Sequence, residues 1–461
     1  MLKHISDYPN FKTANELGRL FKSSGIPLYL VGGSVRDLIN GKGEFISDLD
    51  FTTPAKPEAI ENIVSKWADA IWDQGKKYGT IGCKKNEVSH EITTFRAERY
   101  DPESRKPEVT FGDSLIEDLS RRDFTINAMA VDLVSDELID PYGGKLDLKN
   151  KILKTPLDSK ISFSDDPLRM MRAARFIAKL DLTPDETLIL AIGELKDRLK
   201  VVSKERIRDE LNRLLVVDNP EKGLWFLVNT GLSDMFLPEL KSMQLEQDPI
   251  HKHKDVLAHT IAVVAKTKPE KIIRLAALFH DIGKPKTRVI DATGVKFYFH
   301  DVVGAKITKR RMRDLRYPTE DIAKVTKLVE LHLRFHTYKM GWTDRAVRRY
   351  VNDAGDLLDY LNELTRCDCT TRNEKRAKEL SDRMDELVVR IADLKSKEDF
   401  EKIRPELDGN QVMEILGVGP SKYVGYALEF LLELRLDEGI LGYEKVRQKL
   451  IDWWQTLEKS D

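Results

Sequence analysis

The chain has few cysteines, no long apolar run and almost no net charge, and each of these absences removes a class of protein. Its 461 residues include three cysteines, Cys83, Cys367 and Cys369, which provide neither a disulfide framework nor a four-ligand zinc set. No apolar run is long enough to span a bilayer, and the polar N-terminus lacks the apolar core of a signal peptide. The net charge of -1 exerts no global pull on nucleic acid. We therefore expect a cytoplasmic protein without a membrane partner, which would bind any nucleic acid through local basic faces.

The chain does show a change of pattern along its length. Hydrophobic residues make up 41% and charged residues 33%, which is typical of a globular protein with a heavily charged surface. Strand-like segments such as LYLVGG and SHEITTFR are mixed with helical patterns up to about residue 150, and the later periodicity is almost wholly helical. The length suggests two to four domains. We predict an α+β protein, with a mixed sheet and helices in the head followed by a long all-helical body.

The segment LYLVGGSVRDLINGKGEFISDLDFTT carries the first chemical signal. In a strand, Asp48 and Asp50 point to the same face, while the residues next to them point into the core. Two such carboxylates repel unless a cation lies between them, and Mg²⁺ prefers oxygen ligands of this kind. The GGS at 32–34 follows an apolar strand and precedes a helical start, so its amides can approach phosphate oxygens. Together these features predict metal-assisted phosphoryl or nucleotidyl transfer; the alternative is a surface turn with two solvated aspartates.

The segment SDDPLRMMRAARF predicts a site that reads a nucleobase. On one helix, Asp166, Arg169 and Arg172 are spaced at i and i+3 and share a face, with Pro167 in the first turn. A carboxylate accepts from an exocyclic amine, and an arginine donates to a ring nitrogen or a carbonyl. Cytosine and adenine offer this pattern, whereas uracil and guanine offer the reverse. The pair therefore predicts selection of C and A by side chains; the alternative is a salt-bridged surface helix.

Six segments with polar and glycine residues occur in this order along the chain: GGSVRD, DLDF, RRDFTINAMA, DPYGGKLDL, DDPLRMMRAARF and KERIRDEL. Together they resemble the bacterial class II tRNA nucleotidyltransferases, or CCA-adding enzymes, and the related bacterial poly(A) polymerases of the polymerase β-like nucleotidyltransferase superfamily. The resemblance implies Mg²⁺-dependent attack of the tRNA 3′-hydroxyl on the α-phosphate of CTP or ATP, which adds or repairs the terminal CCA without a template. An A-adding enzyme and a poly(A) polymerase remain open as alternatives. A further alternative, from another class, is a phosphohydrolase whose head only binds nucleotide.

The resemblance also implies roles for individual residues. Asp48 and Asp50 would hold Mg²⁺, and Glu91 in SHEITTFR is the candidate third catalytic carboxylate, unless it pairs with a nearby arginine. The implied nucleotide-binding residues are Gly32, Gly33, Ser34, Arg36, Arg121, Arg122, Asp123, Asn127, Asp165, Asp166, Arg169 and Arg172. The family usually has Glu at the position of Asp165.

Two further segments of this region lead to structural expectations. Arg206 and Glu210 in KERIRDEL are spaced at i and i+4, so we expect a structural ion pair between them. The polar segment RAERYDPESRKPEV, residues 96–109, reads as a mobile loop. In the family that the chain resembles, a loop at this place accompanies adenosine addition.

The body carries a second constellation, in which His259 is followed by His280 and Asp281 in HDIGKP and then by Asp368. This order resembles the HD phosphohydrolase superfamily, in which neutral imidazoles and carboxylates hold one or two divalent metals and activate water. The alternative is an HD fold without activity that serves tRNA binding and architecture. Three further histidines are candidates for the same pocket: His300, His332 and His336.

These signals give an expected domain plan and a set of partners. The plan is a catalytic head at 1–150, a helical neck for base selection and RNA binding at 151–245, an HD domain at 246–375 and a helical tRNA-binding tail at 376–461. The expected partners are tRNA, CTP and ATP, and the oligomeric state stays open. Basic helical faces would follow phosphates, unless they are merely solvated: Lys306, Lys309, Arg310, Arg313, Arg345, Arg348 and Arg349.

Overall fold

The computed structural model describes residues 11–42, 48–73, 75–99, 108–245, 255–291, 294–337, 343–369, 374–397 and 403–458. It separates into two compact units, Met1–Lys241 and Ser242–Asp461. Strands of the main sheet lie in the first unit and helices dominate the second, so the predicted α+β class is confirmed.

The first unit combines strands and helices. Its strands are β1 (Tyr29–Val31), β2 (Asp48–Thr53), β3 (Ala70–Trp72), β4 (Thr80–Lys85), β5 (Val88–Thr94), β6 (Arg96–Arg99), β7 (Glu108–Phe111), β8 (Ala130–Asp132), β9 (Leu138–Ile139), β10 (Ile152–Leu153) and β11 (Thr183–Pro184). Its helices are α1 (Lys12–Ser23), α2 (Gly33–Ile39), α3 (Pro57–Val64), α4 (Leu115–Ser120), α5 (Gly144–Asn150), α6 (Ser159–Asp165), α7 (Leu168–Leu180), α8 (Glu186–Leu195), α9 (Lys204–Leu215), α10 (Glu221–Asn229) and α11 (Glu239–Ser242).

A seven-stranded mixed sheet in the order β3-β4-β5-β2-β1-β8-β9 organises the head. The central pair β2 and β5 is parallel, whereas the other neighbours in this sheet are antiparallel. Strand β2 alternates as a period of two requires, because Leu49 and Phe51 are each 1% exposed and Asp48 and Asp50 point outward. The sheet therefore presents the two aspartates on the face opposite its apolar core.

The segment predicted as a loop at 96–109 is partly a hairpin. Strands β6 and β7 pair antiparallel, with Arg96 opposite Phe111 and Arg99 opposite Glu108. The prediction of a loop was wrong for these flanking residues, since the ladder satisfies their backbone groups. The residues between the strands, 100–107, lie outside the described residues.

Helices after the sheet carry the other half of the site. The long helix α7 packs on α9 and α10 and buries Met170, Ala174 and Ile177. Side chains fix the starts of its neighbours, because Asp158 accepts from the Lys160 amide at the start of α6 and Ser203 accepts from the Arg206 amide at the start of α9. These caps set where each helix begins and thus which residues face α7.

In its described residues, the second unit is helical apart from one hairpin. Its helices are α12 (Val256–Lys266), α13 (Lys271–Phe279), α14 (Lys284–Thr287), α15 (His300–Asp314), α16 (Thr319–Leu331), α17 (Arg334–Thr337), α18 (Asp344–Ala354), α19 (Leu358–Asp368), α20 (Glu374–Lys397), α21 (Gly409–Leu416), α22 (Lys422–Glu438) and α23 (Tyr443–Glu458). The hairpin is formed by β12 (Arg288–Asp291) and β13 (Gly294–Phe297), a pair that the sequence periodicity did not reveal. In the described residues, no helix is both long and apolar enough to cross a membrane.

Candidate nucleotide site and metal centre

Three carboxylates meet at the exposed face of β2 and β5. The parallel register places Asp50 opposite Glu91, and Asp48 lies two residues earlier on the same face. Burial, Glu91 and Asp48 raise the pKa of Asp50 to about 6, although Arg122 acts in the opposite direction. This clustering of negative charge is the condition that a divalent cation with oxygen ligands relieves. The residues present thus fit Mg²⁺.

A bare backbone turn faces these carboxylates. Gly32 lies at the start of α2 with a φ of 72°, a conformation that favours glycine. A Cβ at Gly32 would lie 3.2 Å from Nη1 of Arg122 and 3.8 Å from Oδ2 of Asp50. The Ser34 hydroxyl donates to the carbonyl of Asp48 at 3.1 Å, which ties the turn to β2. Glycine at position 32 therefore keeps a side chain out of the narrow space between the turn, Arg122 and the carboxylate cluster.

A chain of hydrogen bonds connects the turn to helix α7. Nη1 of the buried Arg36 donates to Oδ1 of Asn127 at 2.6 Å, and Nδ2 of Asn127 donates to Oδ1 of Asp123 at 2.9 Å. Oδ2 of Asp123 in turn accepts from Nε of Arg172 at 2.9 Å. Asp123 is 8% exposed, and burial of its carboxylate is outweighed by Arg172, Asn127 and their neighbours, which lower its pKa. The four side chains thus form one hydrogen-bonded row in which Asp123 lies between Arg172 and the neutral Asn127.

Sequence reasoning missed a buried carboxylate that positions two of the predicted arginines. Asp118 is 0% exposed and accepts from Nη2 of Arg121 at 2.9 Å and Nη2 of Arg122 at 3.2 Å. Burial alone would raise the pKa of Asp118, but Arg122 and Arg121 outweigh it and lower the pKa. The i, i+3 and i, i+4 spacing in DLSRR was the available signal.

The predicted single helix over SDDPLRMMRAARF is wrong. Helix α6 ends at Asp165, Asp166 has extended backbone with φ -134° and ψ 98°, and α7 starts only at Leu168. The cause is Pro167, since a residue that precedes proline is disfavoured in the helical region. Asp166 nevertheless stays beside α7, because its Oδ1 accepts from the Leu168 amide at 3.1 Å.

Asp166 and Arg169 are each held by further partners. Oδ2 of Asp166 accepts from Nη2 of Arg206 at 3.2 Å. Arg169 is 9% exposed, and its Nη1 donates to the Ser162 hydroxyl at 2.9 Å while its Nη2 donates to the carbonyl of Arg121. The expected pair of Arg206 with Glu210 is therefore wrong: Glu210 is buried and bonds Arg175 at 2.8 Å and Arg213 at 3.4 Å.

One open pocket of about 450 Å³ brings most of the predicted residues together. The predicted residues among its lining are Gly32, Gly33, Arg36, Asp50, Arg122, Asp123, Asn127, Asp166, Arg169 and Arg172. Ser34, Asp48, Glu91 and Arg121 adjoin it through the contacts given above. Asp165, at the end of α6, is not part of the lining.

The pocket also contains residues that sequence reasoning did not select: Leu168, Arg175, Phe176, Lys179 and Arg206. The ring of Phe176 lies under three guanidinium groups, with Arg175 at 4.4 Å, Arg36 at 5.4 Å and Arg172 at 5.8 Å from its centroid. Lys179 makes no hydrogen bond or ion pair within the described residues, and burial and Arg36 lower its pKa. The spacing of Arg172, Phe176 and Lys179 along α7 was a usable signal.

A second cluster lies within the helical unit, where His259, His280 and Asp281 come together with Asp368. Nε2 of His259 lies 2.8 Å from Oδ1 of Asp368, and Nε2 of His280 lies 3.3 Å from Asp281 Oδ2 and 3.4 Å from Asp368 Oδ1. The ammonium of Lys284 lies 2.7 Å from Asp281 Oδ2. The four predicted residues thus share one buried place in the fold.

Two further histidines complete this cluster. Nε2 of His300 lies 3.5 Å and Nε2 of His332 lies 3.9 Å from Oδ1 of Asp281. Potential ligand atoms fall into two groups, His259 with His280 and Asp368, and Asp281 with His300 and His332. His336 contacts the Phe335 ring and belongs to neither group.

The hydrogen bonds of three of these histidines have the same form. Nδ1 of His280, His300 and His332 lies 2.8, 2.9 and 2.6 Å from the backbone carbonyl three residues earlier. A carbonyl can only accept, so Nδ1 of each ring carries a proton, and Nε2 offers a lone pair whenever the ring holds no second proton. All three Nε2 atoms are buried without a hydrogen-bond partner in the described residues. Such orphaned acceptors, aimed at two carboxylates, fit divalent metal ions.

Burial and neighbouring charges shift the pKa values of two histidines in this cluster. Burial lowers the pKa of His280, but Asp281 and Asp368 outweigh it and raise that pKa to about 10. Burial and the charge on His280 lower the pKa of His332 to about 4. A cation at this place would take over the role of the proton on His280.

Part of the predicted phosphate-binding face is internally paired. Arg345 bonds Asp437 at 2.9 Å, and Arg349 bonds Asp437 at 2.8 Å and also Glu433, all between α18 and α22. Arg348 is only 6% exposed. Arg345 and Arg349 thus attach α22 to α18 and Arg348 is buried, so the structure does not support a role for these three in following phosphates.

Comparison with known families agrees with this organisation. Residues 28–154 match the poly A polymerase head domain, 181–244 match a probable RNA- and SrmB-binding site of polymerase A, and 256–394 match the HD domain. The fold and the pocket thus define a nucleotidyltransferase head that is followed by RNA-binding and HD modules.

Individual relatives narrow this class. The A-adding tRNA nucleotidyltransferase of Deinococcus radiodurans is 31% identical over 438 residues, which is 92% of this chain and 95% of the relative. The CCA-adding enzyme of Geobacillus sp. is 40% identical over 237 residues, or 51% of this chain, and the match spans only 57% of that enzyme. The chain belongs to the tRNA nucleotidyltransferase family.

Solved structures show the same fold over nearly the whole chain. The Bacillus stearothermophilus CCA-adding enzyme in complex with CTP matches with a TM-score of 0.71 at 23% identity, covering 98% of this chain and 100% of that one. The Thermotoga maritima CCA-adding enzyme complexed with tRNA matches with a TM-score of 0.59 at 18% identity, covering 98% and 99%.

Proposed function

We propose that this chain adds or repairs the 3′-terminal CCA of tRNA from CTP and ATP, in the cytoplasm and without a nucleic-acid template. The observation that carries the proposal is one pocket that brings together Asp50 of the carboxylate cluster, the glycine turn, and Asp166 with Arg169. Its CCA-adding relatives, and the neighbouring structures with CTP and with tRNA, support it.

The chemistry follows from the residues of the pocket. The tRNA 3′-hydroxyl attacks the α-phosphate, the bond to the β-phosphate breaks, and pyrophosphate leaves. Asp48 and Asp50 would hold Mg²⁺, with Glu91 beside them, and the ion would polarise the nucleophile and neutralise charge on the leaving group. Gly32 and Gly33 line the pocket without side chains, so phosphate oxygens would reach their amides.

The remaining residues bind and select the nucleotide. Arg121 and Arg122, positioned by Asp118, suit the triphosphate, and the Asp123–Asn127 pair suits ribose hydroxyls. Asp166 would accept from the exocyclic amine of C or A. Arg169 already donates to Ser162 and to the carbonyl of Arg121. Its remaining N–H groups would donate to the ring acceptors of the base.

A second candidate, addition of the final A alone, is favoured by one observation. The relative that matches over 95% of its own length is an A-adding enzyme, whereas the match to the Geobacillus CCA-adding enzyme spans 57% of that enzyme. Both activities need the same carboxylates and accept the same Asp–Arg pairing with adenine. They differ in whether CTP is used at all.

The deciding experiment is an extension assay with Mg²⁺ and tRNA transcripts that end in the discriminator base, in C or in CC. Each transcript receives CTP, ATP, both, or UTP with GTP, beside an Asp48→Ala/Asp50→Ala control. Extension that stops at CCA and needs both nucleotides supports the proposal. A single A on the CC-ended transcript alone identifies an A-adding enzyme, long ATP tails identify a poly(A) polymerase, and no extension refutes the proposal.

For the helical unit, we propose a metal-dependent phosphohydrolase site with one or two divalent ions. The three orphaned Nε2 atoms and the two ligand groups support it. His259, His280 and Asp368 would hold one ion, and Asp281, His300 and His332 the other.

Metal analysis after dialysis measures how many ions are bound by the wild type and by a His300→Ala/His332→Ala variant. A decrease from two ions to one supports both positions, and no bound metal in the wild type refutes the site. Phosphatase assays with added Mn²⁺, Ni²⁺ or Zn²⁺ then test activity.

A further inference from the structure

The helical unit contains a basic groove that the sites described above do not use. Helices α15 and α16 form an antiparallel hairpin, since the rings of His300 at the start of α15 and His332 after the end of α16 lie 5.3 Å apart. The groove, of about 760 Å³, lies near the opposite end of this hairpin, where the chain turns from α15 into α16.

The charge of the groove is strongly one-sided. Lys309, Arg313, Arg316 and Lys327 line it, and Glu330 is the one acidic residue among its lining. In the described part of the chain, Lys309, Arg313 and Lys327 form no ion pair or hydrogen bond through their side chains.

Neighbouring cations on the same two helices behave differently. Arg311 lies 3.5 Å from Asp314, and Lys324 lies 2.5 Å from Glu320. Neither Arg311 nor Lys324 lines the groove. The acids of this hairpin thus neutralise Arg311 and Lys324, whereas Lys309, Arg313 and Lys327 stay uncompensated in the described residues. The groove is therefore a place of positive potential.

The backbone keeps an arginine where glycine is the usual residue. Arg316, two residues after the end of α15, has a φ of 60°, and the Tyr317 amide donates to the carbonyl of Met312 at 3.0 Å. Helices that end in this way commonly place glycine at the left-handed position, because a side chain is strained there. In this chain the position adds a cation to the groove instead.

The groove also has a firm wall. The side chain of Thr326 lines it, although its hydroxyl oxygen is buried and has no hydrogen-bond partner in the described residues. Tyr317, only 6% exposed, and Ile322 form an apolar wall. Lys309 and Arg313 are one helical turn apart, so their charges follow each other along the groove.

We propose that this groove binds backbone phosphates of the tRNA substrate. Several uncompensated cations in an open groove, with a single carboxylate, suit a chain of phosphodiesters better than the edge of a base. The inference rests on the proposed function insofar as tRNA is the partner. It assigns the RNA contact to the α15–α16 hairpin rather than to the arginines of α18.

The test compares two triple variants with the same change of charge. The first is Lys309→Gln/Arg313→Gln/Lys327→Gln; the matched control, on α20 of the same unit, is Lys375→Gln/Lys378→Gln/Lys395→Gln. Equilibrium binding of full-length tRNA is measured from 50 to 250 mM KCl, and circular dichroism confirms that both variants fold. The wild-type extension assay, run in parallel, tests the proposed function separately.

We expect the groove variant to lose about 10- to 100-fold in affinity at 0.1 M salt and to lower the salt slope by about 2 to 3, because each phosphate contact contributes about 0.7 to 0.9 to that slope. The KM for tRNA should rise while kcat at saturating tRNA stays unchanged. The control should stay within about twofold of wild type. Equal affinities and slopes for the two variants, with an active wild type, would overturn the inference.

Other contacts with tRNA could compensate for the loss of affinity in the groove variant, so a second experiment detects the contact directly. A photo-crosslinking residue replaces Thr319, which lines the groove and lies outside the charged set. Crosslinks to tRNA that the groove variant abolishes support the assignment. Crosslinks to another protein only, or none in a complex saturated with tRNA, contradict it.

Discussion

Replacing Asp166 by asparagine should change which nucleotide the pocket accepts. The substitution keeps size and shape, and the amide oxygen can still accept from the Leu168 amide, as Oδ1 of Asp166 does at 3.1 Å. The amide nitrogen then takes the position of Oδ2, which now accepts from Arg206 at 3.2 Å. Arg206 is 56% exposed in its side chain, so it can turn to water at little cost. The change is therefore confined to the edge that faces the base.

The expected magnitude follows from one charge-assisted hydrogen bond. Such a bond contributes about 1.5–3 kcal/mol when it is well shielded. The side chain of Asp166 is 27% exposed, which favours the lower part of this range, about 1.5–2 kcal/mol. At about 1.4 kcal/mol per factor of ten, kcat/KM for CTP should fall about 10- to 30-fold. A donor now faces O4 of uracil, so the ratio of CTP to UTP use should fall by up to roughly 100-fold.

The assay is single-turnover extension of a CC-ended and a C-ended transcript with each nucleotide in turn. Asp165→Asn is the matched control, because it makes the same chemical change one residue earlier, outside the lining of the pocket. An unchanged CTP-to-UTP ratio in Asp166→Asn would refute the assignment of base reading to Asp166. A larger effect in Asp165→Asn would transfer that role to Asp165.

Three further changes test other parts of the structure. Lys179→Met should weaken CTP binding several-fold and leave CMP binding unchanged, since the unpaired ammonium at the pocket suits a triphosphate. Isothermal titration measures both affinities, and equal losses for CTP and CMP would contradict this role. Glu210→Ala should destabilise the fold by about 3 kcal/mol in urea denaturation, because it leaves the half-buried Arg175 unpaired. The buried His90 has a pKa lowered to about 4 by desolvation, so the unfolded chain takes up its proton first as the pH falls. The stabilisation from neutral His90 should therefore be complete above about pH 6.5 and lost towards pH 4, by about 3 kcal/mol; a His90→Gln variant with the same pH dependence as wild type would disprove this.

The strand DLDF and the glycine turn of the head could be predicted from local sequence patterns. The alternation in DLDF follows from the two-residue period of a strand, and it correctly placed Leu49 and Phe51 inward. The glycine turn before α2 was likewise recognisable, since a φ of 72° is accessible mainly to glycine. Such features depend on neighbours in the chain and can be read without the fold.

Partners that are distant in the chain could not be predicted in this way. Arg206 bonds Asp166 across 40 positions, and Arg349 bonds Asp437 across 88. Spacing along the helix suggested a nearer partner for Arg206 and a solvent-exposed face for Arg349. Tertiary packing gave each of them a distant carboxylate instead. The break of the helix at Asp166 was also missed, because Pro167 was taken as a first-turn residue rather than as the cause of an extended residue before it.

The histidine cluster could be predicted in part from the sequence. Its four predicted members follow the order along the chain that the HD resemblance implies. His300 and His332 could only be offered as candidates together with His336, since nothing in the sequence shows which imidazole faces the centre. The hydrogen bonds from Nδ1 to the preceding turn orient His300 and His332 inward.

The parallel pairing of β2 with β5 has a consequence for biosynthesis. Asp50 meets Glu91 only after β3 and β4 have been made and β5 has inserted between β2 and β4, and the pocket further needs Arg172 and Arg206. Long-range contacts of this kind form late, after the entropy of closing the intervening loops has been overcome. A growing chain on the ribosome therefore has no nucleotide site until the neck has emerged. Under the proposed function, nucleotide would bind only the completed first unit and stabilise it by mass action. CTP should therefore protect the finished unit, but not its earlier fragments, from proteolysis.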